Sequence, residues 1–300
     1  MIPFAAAVDW GTSSFRLWLL GHDGAVLAET RSGEGMMAAR EAGFSAVLER
    51  HLEELSAPAG LPVIVCGMAG AKQGWREAAY LDTPAALADV IGRAVRVEDA
   101  VRDVRILPGV AQRDPDWPDV MRGEETQLIG AIGQGVSSGL VCMPGTHSKW
   151  ARLDGTRIEH FSTAMTGEMF ALLKSQSVLR HSLNGPLDGP GQDEGFVAGA
   201  RDGLDNPAGL LGQLFTVRAA SLLSGQAPDW CAGYLSGLLI GTEIAANRNE
   251  ISTDPVPLIG SDKLCALYMR VLHMAGASGR LVDSTEVVLA GLTAARASIA

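Results

Sequence analysis

Cysteine is scarce in this chain: Cys66, Cys142, Cys231 and Cys265 stand far apart in apolar stretches, and no two form a C-x-x-C pair. That spacing argues against a zinc site and a disulfide framework, and suits buried thiols in a reducing cytoplasm. Basic blocks are absent from a chain whose formal net charge is −10. Nucleic acid and anionic membrane are therefore poor partners, although a local positive cleft could hold an anionic substrate. Long apolar runs are absent too. The N-terminus has no basic segment, Asp9 interrupts its apolar run, and no stretch reaches the length of a membrane span, so a soluble cytoplasmic protein is expected. Aromatic residues make up only 5%, against 36 glycines, a balance that fits a loop-rich α/β enzyme better than a fibrous or disordered chain.

What the chain does have is a repeated hairpin, and an apolar content of 47% over 300 residues is enough for two cores. The apolar run Phe4 to Val8 meets Asp9, crosses the small turn Gly11-Thr12-Ser13-Ser14, and returns as Phe15 to Leu20 before an Asp23-Gly24 turn. Glycine and hydroxyl residues at such a tip let N–H and O–H groups converge on an anion, most naturally a nucleotide phosphate, and the Asp9 carboxylate could hold Mg²⁺ beside it. The pattern returns at 139–162 with Leu140 to Met143, the tip Pro144-Gly145-Thr146-His147-Ser148, a run carrying Trp150, and an Asp154-Gly155 turn. Two copies half a chain apart indicate a duplicated domain rather than a solenoid, whose periods are far shorter. Facing each other across a cleft, the two tips would clamp a nucleotide.

Phe44, Val47, Leu48, Leu52 and Leu55 predict one amphipathic helix over 40–56, with His51 as a packed residue rather than a ligand. Pro62 to Cys66 predicts a strand covered on both faces. It ends in Gly67-Met68-Ala69-Gly70, where ligands of open α/β sheets collect. Ala71 to Tyr80 mixes polar and aromatic groups without periodicity, as a substrate loop or a surface loop anchored by Trp75 would. Thr83-Pro84 predicts an N-cap and a helix to about Val95, followed by a strand at Val104 to Leu107. The turn-rich Asp114-Pro115-Asp116-Trp117-Pro118 marks a boundary. The expected domains are 1–112, completed by a final helix within 284–300, and 113–283. Glu124 and Glu125 open a helix, where two carboxylates would complement its dipole. Beyond the second hairpin come a helix from Thr166 to Leu179, a Pro/Gly-rich loop over 184–195, and helices near 194–202, 208–224 and 229–248. The strand Val256 to Ile259 ends in Gly260-Ser261 before a capped helix, a pattern suited to an adenosine-side contact.

In the order Asp9, Glu124/Glu125, Gly145-Thr146, the chain resembles the actin-like ATPase superfamily of sugar kinases, with the first hairpin as phosphate-1 motif and the second as phosphate-2 motif. That resemblance implies an α/β fold of two duplicated actin-like (ribonuclease H-like) ATPase domains with an interdomain cleft. In hexokinase-like members an Asn-Asp-Thr helix start carries the catalytic carboxylate. Glu124-Glu125-Thr126 occupies the comparable place, Glu125 matching the Asp, and the change from Asp to Glu leaves the choice between the two glutamates open.

Four stretches resemble the 2-dehydro-3-deoxygalactonokinase family: Val8 to Arg16, Lys72-Gln73-Gly74-Trp75, Arg122 to Gln127, and Pro144 to Trp150. The family resemblance implies phosphorylation of 2-dehydro-3-deoxy-D-galactonate at O6 by ATP and Mg²⁺, in galactonate catabolism. Asp9 would then serve the metal, with Glu125 or Glu124 as base. Gly11, Thr12, Ser13, Gly145, Thr146, His147 and Ser148 would meet phosphates, and Gly260 and Ser261 the adenosine side. Arg16, Gly70, Lys72, Gln73, Trp75, Arg113 and Arg122 would line the sugar side, where cations suit an anionic substrate. Another sugar or sugar-acid kinase would differ in the 67–80 loop and the arginines. An exopolyphosphatase-type phosphatase also places a Gly-x-Glu carboxylate before its second hairpin, and an actin-like scaffold would need a polymerisation surface, of which the sequence gives no sign. Oligomeric state stays open, a homodimer included.

Overall fold

The computed structural model describes residues 2–299. In chain order its elements are β1 (Ala5–Trp10), β2 (Phe15–Leu20), β3 (Val26–Ser32), α1 (Met36–Ala42), α2 (Phe44–Glu54), β4 (Val63–Gly67), β5 (Leu81–Asp82), β6 (Ala85–Ala86), α3 (Leu87–Gly92), β7 (Val95–Arg96), β8 (Val104–Ile106), β9 (Val110–Gln112), β10 (Asp119–Met121) and α4 (Glu124–Gly133). There follow β11 (Ser138–Met143), β12 (Ser148–Asp154), β13 (Arg157–Ala164), α5 (Thr166–Ser175), α6 (Gln192–Asp205), α7 (Leu210–Leu223), α8 (Pro228–Ala246), β14 (Val256–Gly260), α9 (Asp262–Met274), β15 (Gly279–Asp283) and α10 (Ser284–Ile299). They form two compact units.

The first unit takes the described residues up to Ser138, then Arg152–Phe161 and the segment from Asp283 onward. Its main sheet has the order β3-β2-β1-β4-β8-β7. β1 pairs antiparallel with β2 and parallel with β4, which sets Asp9 opposite Arg16 on one side and opposite Cys66 on the other. Side chains alternate across a strand, and both faces are apolar here because both are covered. Val8, Trp10 and Phe15 pack with Val47, Leu48 and Leu52 of α2; Ala7, Trp18 and Ile64 pack with Val288 and Leu292 of α10.

α10 also meets α4, backbone against backbone. A Cβ at Gly130 would fall 1.8 Å from the Val287 carbonyl oxygen, and one at Gly291 2.1 Å from that of Thr126, an approach open only to glycine. This contact holds α4 within the first unit, whose first segment runs to Ser138.

The second unit takes Gly139–Ala151 and Ser162–Val282. The other six-stranded sheet contains the run β13-β12-β11-β14-β15, which repeats the run β3-β2-β1-β4-β8 of the first sheet, and β11 runs parallel to β14 as β1 does to β4. The duplication visible in the two hairpins therefore extends through each sheet, and each tip joins the same two strands of its copy. Behind the second sheet, α6 and α8 touch along matched glycines. Gly195, Gly199 and Gly203 face α8, and Gly233, Gly237 and Gly241 face α6; a Cβ at any of the six would lie 2.0–2.5 Å from a carbonyl oxygen of the other helix.

Several expectations shift. The helix expected over 40–56 is two, broken at Gly43 with φ 89°. Thr83-Pro84 caps nothing: β5 and β6 flank it, and α3 starts at Leu87 with Ala86 at its N-cap. α5 stops at Ser175, before the expected Leu179. Ser261 does stand at the N-cap of α9, but its side chain makes no capping bond. β5, β6 and β7 are only two residues long, too short to carry a periodic signal. Among the described residues no helix is long and apolar enough to cross a membrane.

Candidate active site

Three chain segments converge in the first unit: the end of β1, the end of β4 and the start of α4. Asp9 is partly exposed, forms an ion pair with Arg16, and lies 3.9 Å from the Cys66 thiol. At Gly67 (φ 89°) a Cβ would stand 2.6 Å from the Trp10 carbonyl oxygen, and at Gly123 (φ 108°) one would stand 3.6 Å from the Gly67 Cα. Glycine at both places satisfies the left-handed backbone and lets α4 begin directly behind the two strand ends.

The two glutamates accept bonds from the backbone just ahead of them. The Arg122 N–H donates to Glu124 Oε2 at 2.9 Å, and the Gly123 N–H to Glu125 Oε2 at 2.7 Å. Thr126 Oγ1 donates to Glu125 Oε1 at 3.0 Å. Both carboxylates therefore sit where a helix N-terminus favours negative charge. Their environments differ: Glu124 is half-buried, while Glu125 has no exposed surface. Burial first, and the charge of Glu124 second, push the Glu125 carboxyl up to about 7 against the donors that favour its ionised form. The Cys66 thiol is driven well above its ordinary value by burial and by the charges of Asp9 and Glu125.

Arg122 leads into this cluster. Its guanidinium lies 4.3 Å over the Tyr80 ring and its Nη2 donates to the Ala78 carbonyl at 2.8 Å. Nε and Nη1 are buried and meet no acceptor among the described residues. Gly70 makes room for this cation, since a Cβ there would stand 2.7 Å from Nη1. The other candidate cations differ. Arg16 is engaged by Asp9, Arg113 is an exposed partner of Asp82, and Lys72 and its neighbour Gln73 are exposed. Trp75 packs inward against Trp10 and Phe44, so it anchors its loop. At the first tip Gly11 N–H closes onto the Ser14 carbonyl at 2.8 Å, while Thr12 and Ser13 are exposed.

In the second unit, Thr146 and His147 are the exposed part of the tip. His147 bonds Glu168 in the first turn of α5, and Gly167 packs so closely that a Cβ there would lie 2.4 Å from the Gly145 carbonyl oxygen. Ser148 turns inward: it is fully buried and its Oγ shares a hydrogen bond of 2.9 Å with the Tyr268 hydroxyl. Tyr268 donates onward to Glu243 at 2.6 Å, and Glu243 also accepts from Trp150 Nε1 at 2.7 Å and from Thr166. Burial raises the Glu243 carboxyl despite these donors. Beside the tip a largely apolar cavity of about 360 Å³ is bounded by Gly145, Thr166, Phe170, Leu239, Leu264 and Tyr268. Gly260 backs the tip, its Cβ position 3.0 Å from the Pro144 carbonyl oxygen, and Ser261 follows it in an exposed position.

A family model described as 2-keto-3-deoxy-galactonokinase matches residues 9–295. The chain belongs to the 2-keto-3-deoxy-galactonokinase family. It is 53% identical to the "probable 2-dehydro-3-deoxygalactonokinase DgoK1" of Rhizobium meliloti (strain 1021), over 99% of this chain and 97% of the relative. It is 35% identical to the 2-dehydro-3-deoxygalactonokinase of Escherichia coli (strain K12), over 95% of each. A crystal structure of a Sinorhizobium meliloti protein, provisionally assigned to the same kinase, superposes with a TM-score of 0.91 at 52% identity, covering 99% of both chains. At 10% identity, component A of the Acidaminococcus fermentans (R)-2-hydroxyglutaryl-CoA dehydratase superposes with a TM-score of 0.56 over the full length of both chains, which bears on the fold alone. The fold class is α/β, with the duplicated arrangement of an actin-like fold.

Within this family frame, the first unit brings Asp9, Arg16, Gly70, Arg122, Glu124 and Glu125 into one neighbourhood around Cys66, Gly67 and Tyr80. The second unit gathers Gly145 to Ser148 and Gly260 around one tip. Sequence reasoning missed Tyr80 as the partner of Arg122 and Glu243 as the hub behind the second tip. Tyr80 sits in a stretch without periodicity, and Glu243 lies deep in an apolar helix where an isolated carboxylate is itself the unused signal. Among the described residues no three His, Cys, Asp or Glu side chains form a metal cage. Mg²⁺ in phosphoryl transfer is held by one or two carboxylates together with phosphates and waters, and the partly exposed Asp9 carboxylate beside the first tip is a donor of that kind.

Proposed function

We propose that the chain transfers the γ-phosphoryl group of ATP to O6 of 2-dehydro-3-deoxy-D-galactonate, giving 2-dehydro-3-deoxy-6-phospho-D-galactonate, as a cytoplasmic step of galactonate catabolism. Four buried, unpaired cysteines suit that compartment. The observation that carries the reading is Glu125: a buried carboxyl raised to about 7, on the helix that starts behind Asp9, in a chain whose family is a sugar-acid kinase family. A sugar hydroxyl is a weak nucleophile at neutral pH, and a carboxyl poised near the working pH is suited to orient it and take its proton as the bond to phosphorus forms.

Asp9, the two tips and Arg122 take roles in the same scheme. Asp9 would hold Mg²⁺, which neutralises charge on the phosphates when bound. The exposed Thr12 and Ser13, and Thr146 and His147, would donate to phosphate oxygens, and the apolar cavity beside Gly145 would receive the adenine. Ser148 acts from behind, bracing the second tip through Tyr268 and Glu243. Of the four candidate cations, Arg122 is favoured for the substrate carboxylate, because two of its nitrogens lie buried without an acceptor and an unpaired buried charge is costly until an anion meets it.

The test is product identification. The purified protein is incubated with ATP, Mg²⁺ and a panel of sugar acids, and the phosphorylated carbon is assigned by NMR. O6 phosphorylation of 2-dehydro-3-deoxy-D-galactonate in preference to its stereoisomers is expected. Preference for another acid or another hydroxyl would overturn the substrate assignment, and ATP hydrolysis without a phosphorylated product would overturn the kinase reading.

A further inference from the structure

α7 (LLGQLFTVRAASLL) sits in the second unit with Val217 as its buried residue. Its outer side carries Leu211, Gly212, Phe215, Ala219, Leu222 and Leu223, spaced so that they form one stripe along the helix. Leu211 and Leu223 are 86% exposed, Leu222 63% and Phe215 59%. The one charged residue of the helix, Arg218, reaches instead toward Ser182 Oγ at 3.4 Å. The stripe is thus uncharged on a chain of net charge −10.

We propose that this stripe is the contact surface for a second copy of the same chain, with the two α7 helices antiparallel about a two-fold axis level with Val217. The pattern of side chains selects that occupant. A two-fold at this level sets Phe215 against Ala219 of the second copy, Leu222 against its Gly212, and Leu211 against its Leu223. Large side chains meet small ones in both directions, as an isologous interface requires. Gly212 supplies the deeper hole, since no atom lies within 4 Å of where its Cβ would stand. The area is of the right order: the four large side chains present roughly 600 Å² of apolar surface, and a standard interface uses about 800 Å² per partner. Charge points the same way. Two acidic copies repel wherever charged faces meet, and this stripe offers each a face without charge.

Sedimentation velocity and light scattering of the full chain at micromolar concentration test this. The wild type is expected at the mass of two chains, and Phe215→Glu and Leu222→Glu each at the mass of one, with unchanged far-UV circular dichroism. The register has its own test: tagged Phe215→Glu should capture Ala219→Lys, where opposite charges face each other, and should fail to capture wild type. A monomeric wild type, or a dimer that persists in both glutamate variants, overturns the proposal. Failure of the Glu/Lys pair overturns the antiparallel pairing. Should Phe215→Glu unfold, Leu222→Glu alone decides between one chain and two.

Discussion

The Gly123 N–H donates to Glu125 Oε2 at 2.7 Å, so the residue that caps α4 from a left-handed backbone also holds the buried carboxylate two positions on. The carboxyl nonetheless titrates near 7, where an ordinary glutamate titrates at 4.5. Below the lower value both native and unfolded chains carry the proton. Between the two, the native state keeps a proton that the unfolded chain has lost, so stability falls as pH rises, by about 3 kcal/mol in all, and the loss is complete above 7. Glu125→Gln should remove that slope. Urea titrations should find the variant as stable as wild type at about pH 4 and more stable by up to about 3 kcal/mol at about pH 8. Parallel curves would show that the carboxyl is not perturbed.

For activity the same substitution works in the opposite direction. Glu125→Gln keeps size and hydrogen bonding but cannot take a proton, so kcat should fall by about 10²- to 10⁴-fold with ATP affinity retained. The acid limb of the wild-type kcat/KM profile, expected near 7, should vanish with it. Glu124, roughly 100° around the helix, is the control. If Glu124→Gln shows the loss and Glu125→Gln does not, the role moves to the half-buried neighbour.

Asp9→Asn removes the charge that pairs with Arg16 and that would hold Mg²⁺ in the proposed scheme. Phosphoryl transfer should slow by orders of magnitude while circular dichroism and the unfolding midpoint stay close to wild type. Turnover of the Asp9→Asn variant at the wild-type rate would end the metal role.

Arg122→Met keeps an unbranched stem and deletes the charged guanidinium that lies over Tyr80. kcat/KM for the sugar acid should drop about 10²-fold, with KM for ATP unchanged. The amide of the same sugar acid should be phosphorylated equally by both proteins. A matching loss on the neutral amide would instead make Arg122 a structural residue.

Gly199→Ala would drive a Cβ to 2.0 Å from the Tyr234 carbonyl oxygen, forcing α6 from α8. A loss of at least about 2 kcal/mol in urea unfolding is expected. Gly133→Ala, where nothing lies within 4 Å of the added carbon, should stay within about 0.5 kcal/mol of wild type.

Local chemistry makes much of this protein legible in one dimension. Asp9-x-Gly-Thr-Ser alone fits a plain hairpin with a small turn; its return as Pro-Gly-Thr-His-Ser is what announces two tips and a duplication, which the matching runs of five strands display. Apolar runs such as Ala5–Trp10 and Val63–Gly67 became strands covered on both faces, as their composition requires. The glycine content, by itself, reads as a sign of loops. In fact Gly195, Gly199 and Gly203, and Gly233, Gly237 and Gly241, lie inside helices at four-residue spacing, and only the facing helix reveals what that spacing is for. Tertiary structure likewise decided that α4 lies with α10, that Ser148 faces inward while His147 faces out, and that of two adjacent glutamates one is enclosed. Burial and pairing depend on what the rest of the chain brings alongside, and adjacent residues on a helix, identical in chemistry, are separated by nothing else.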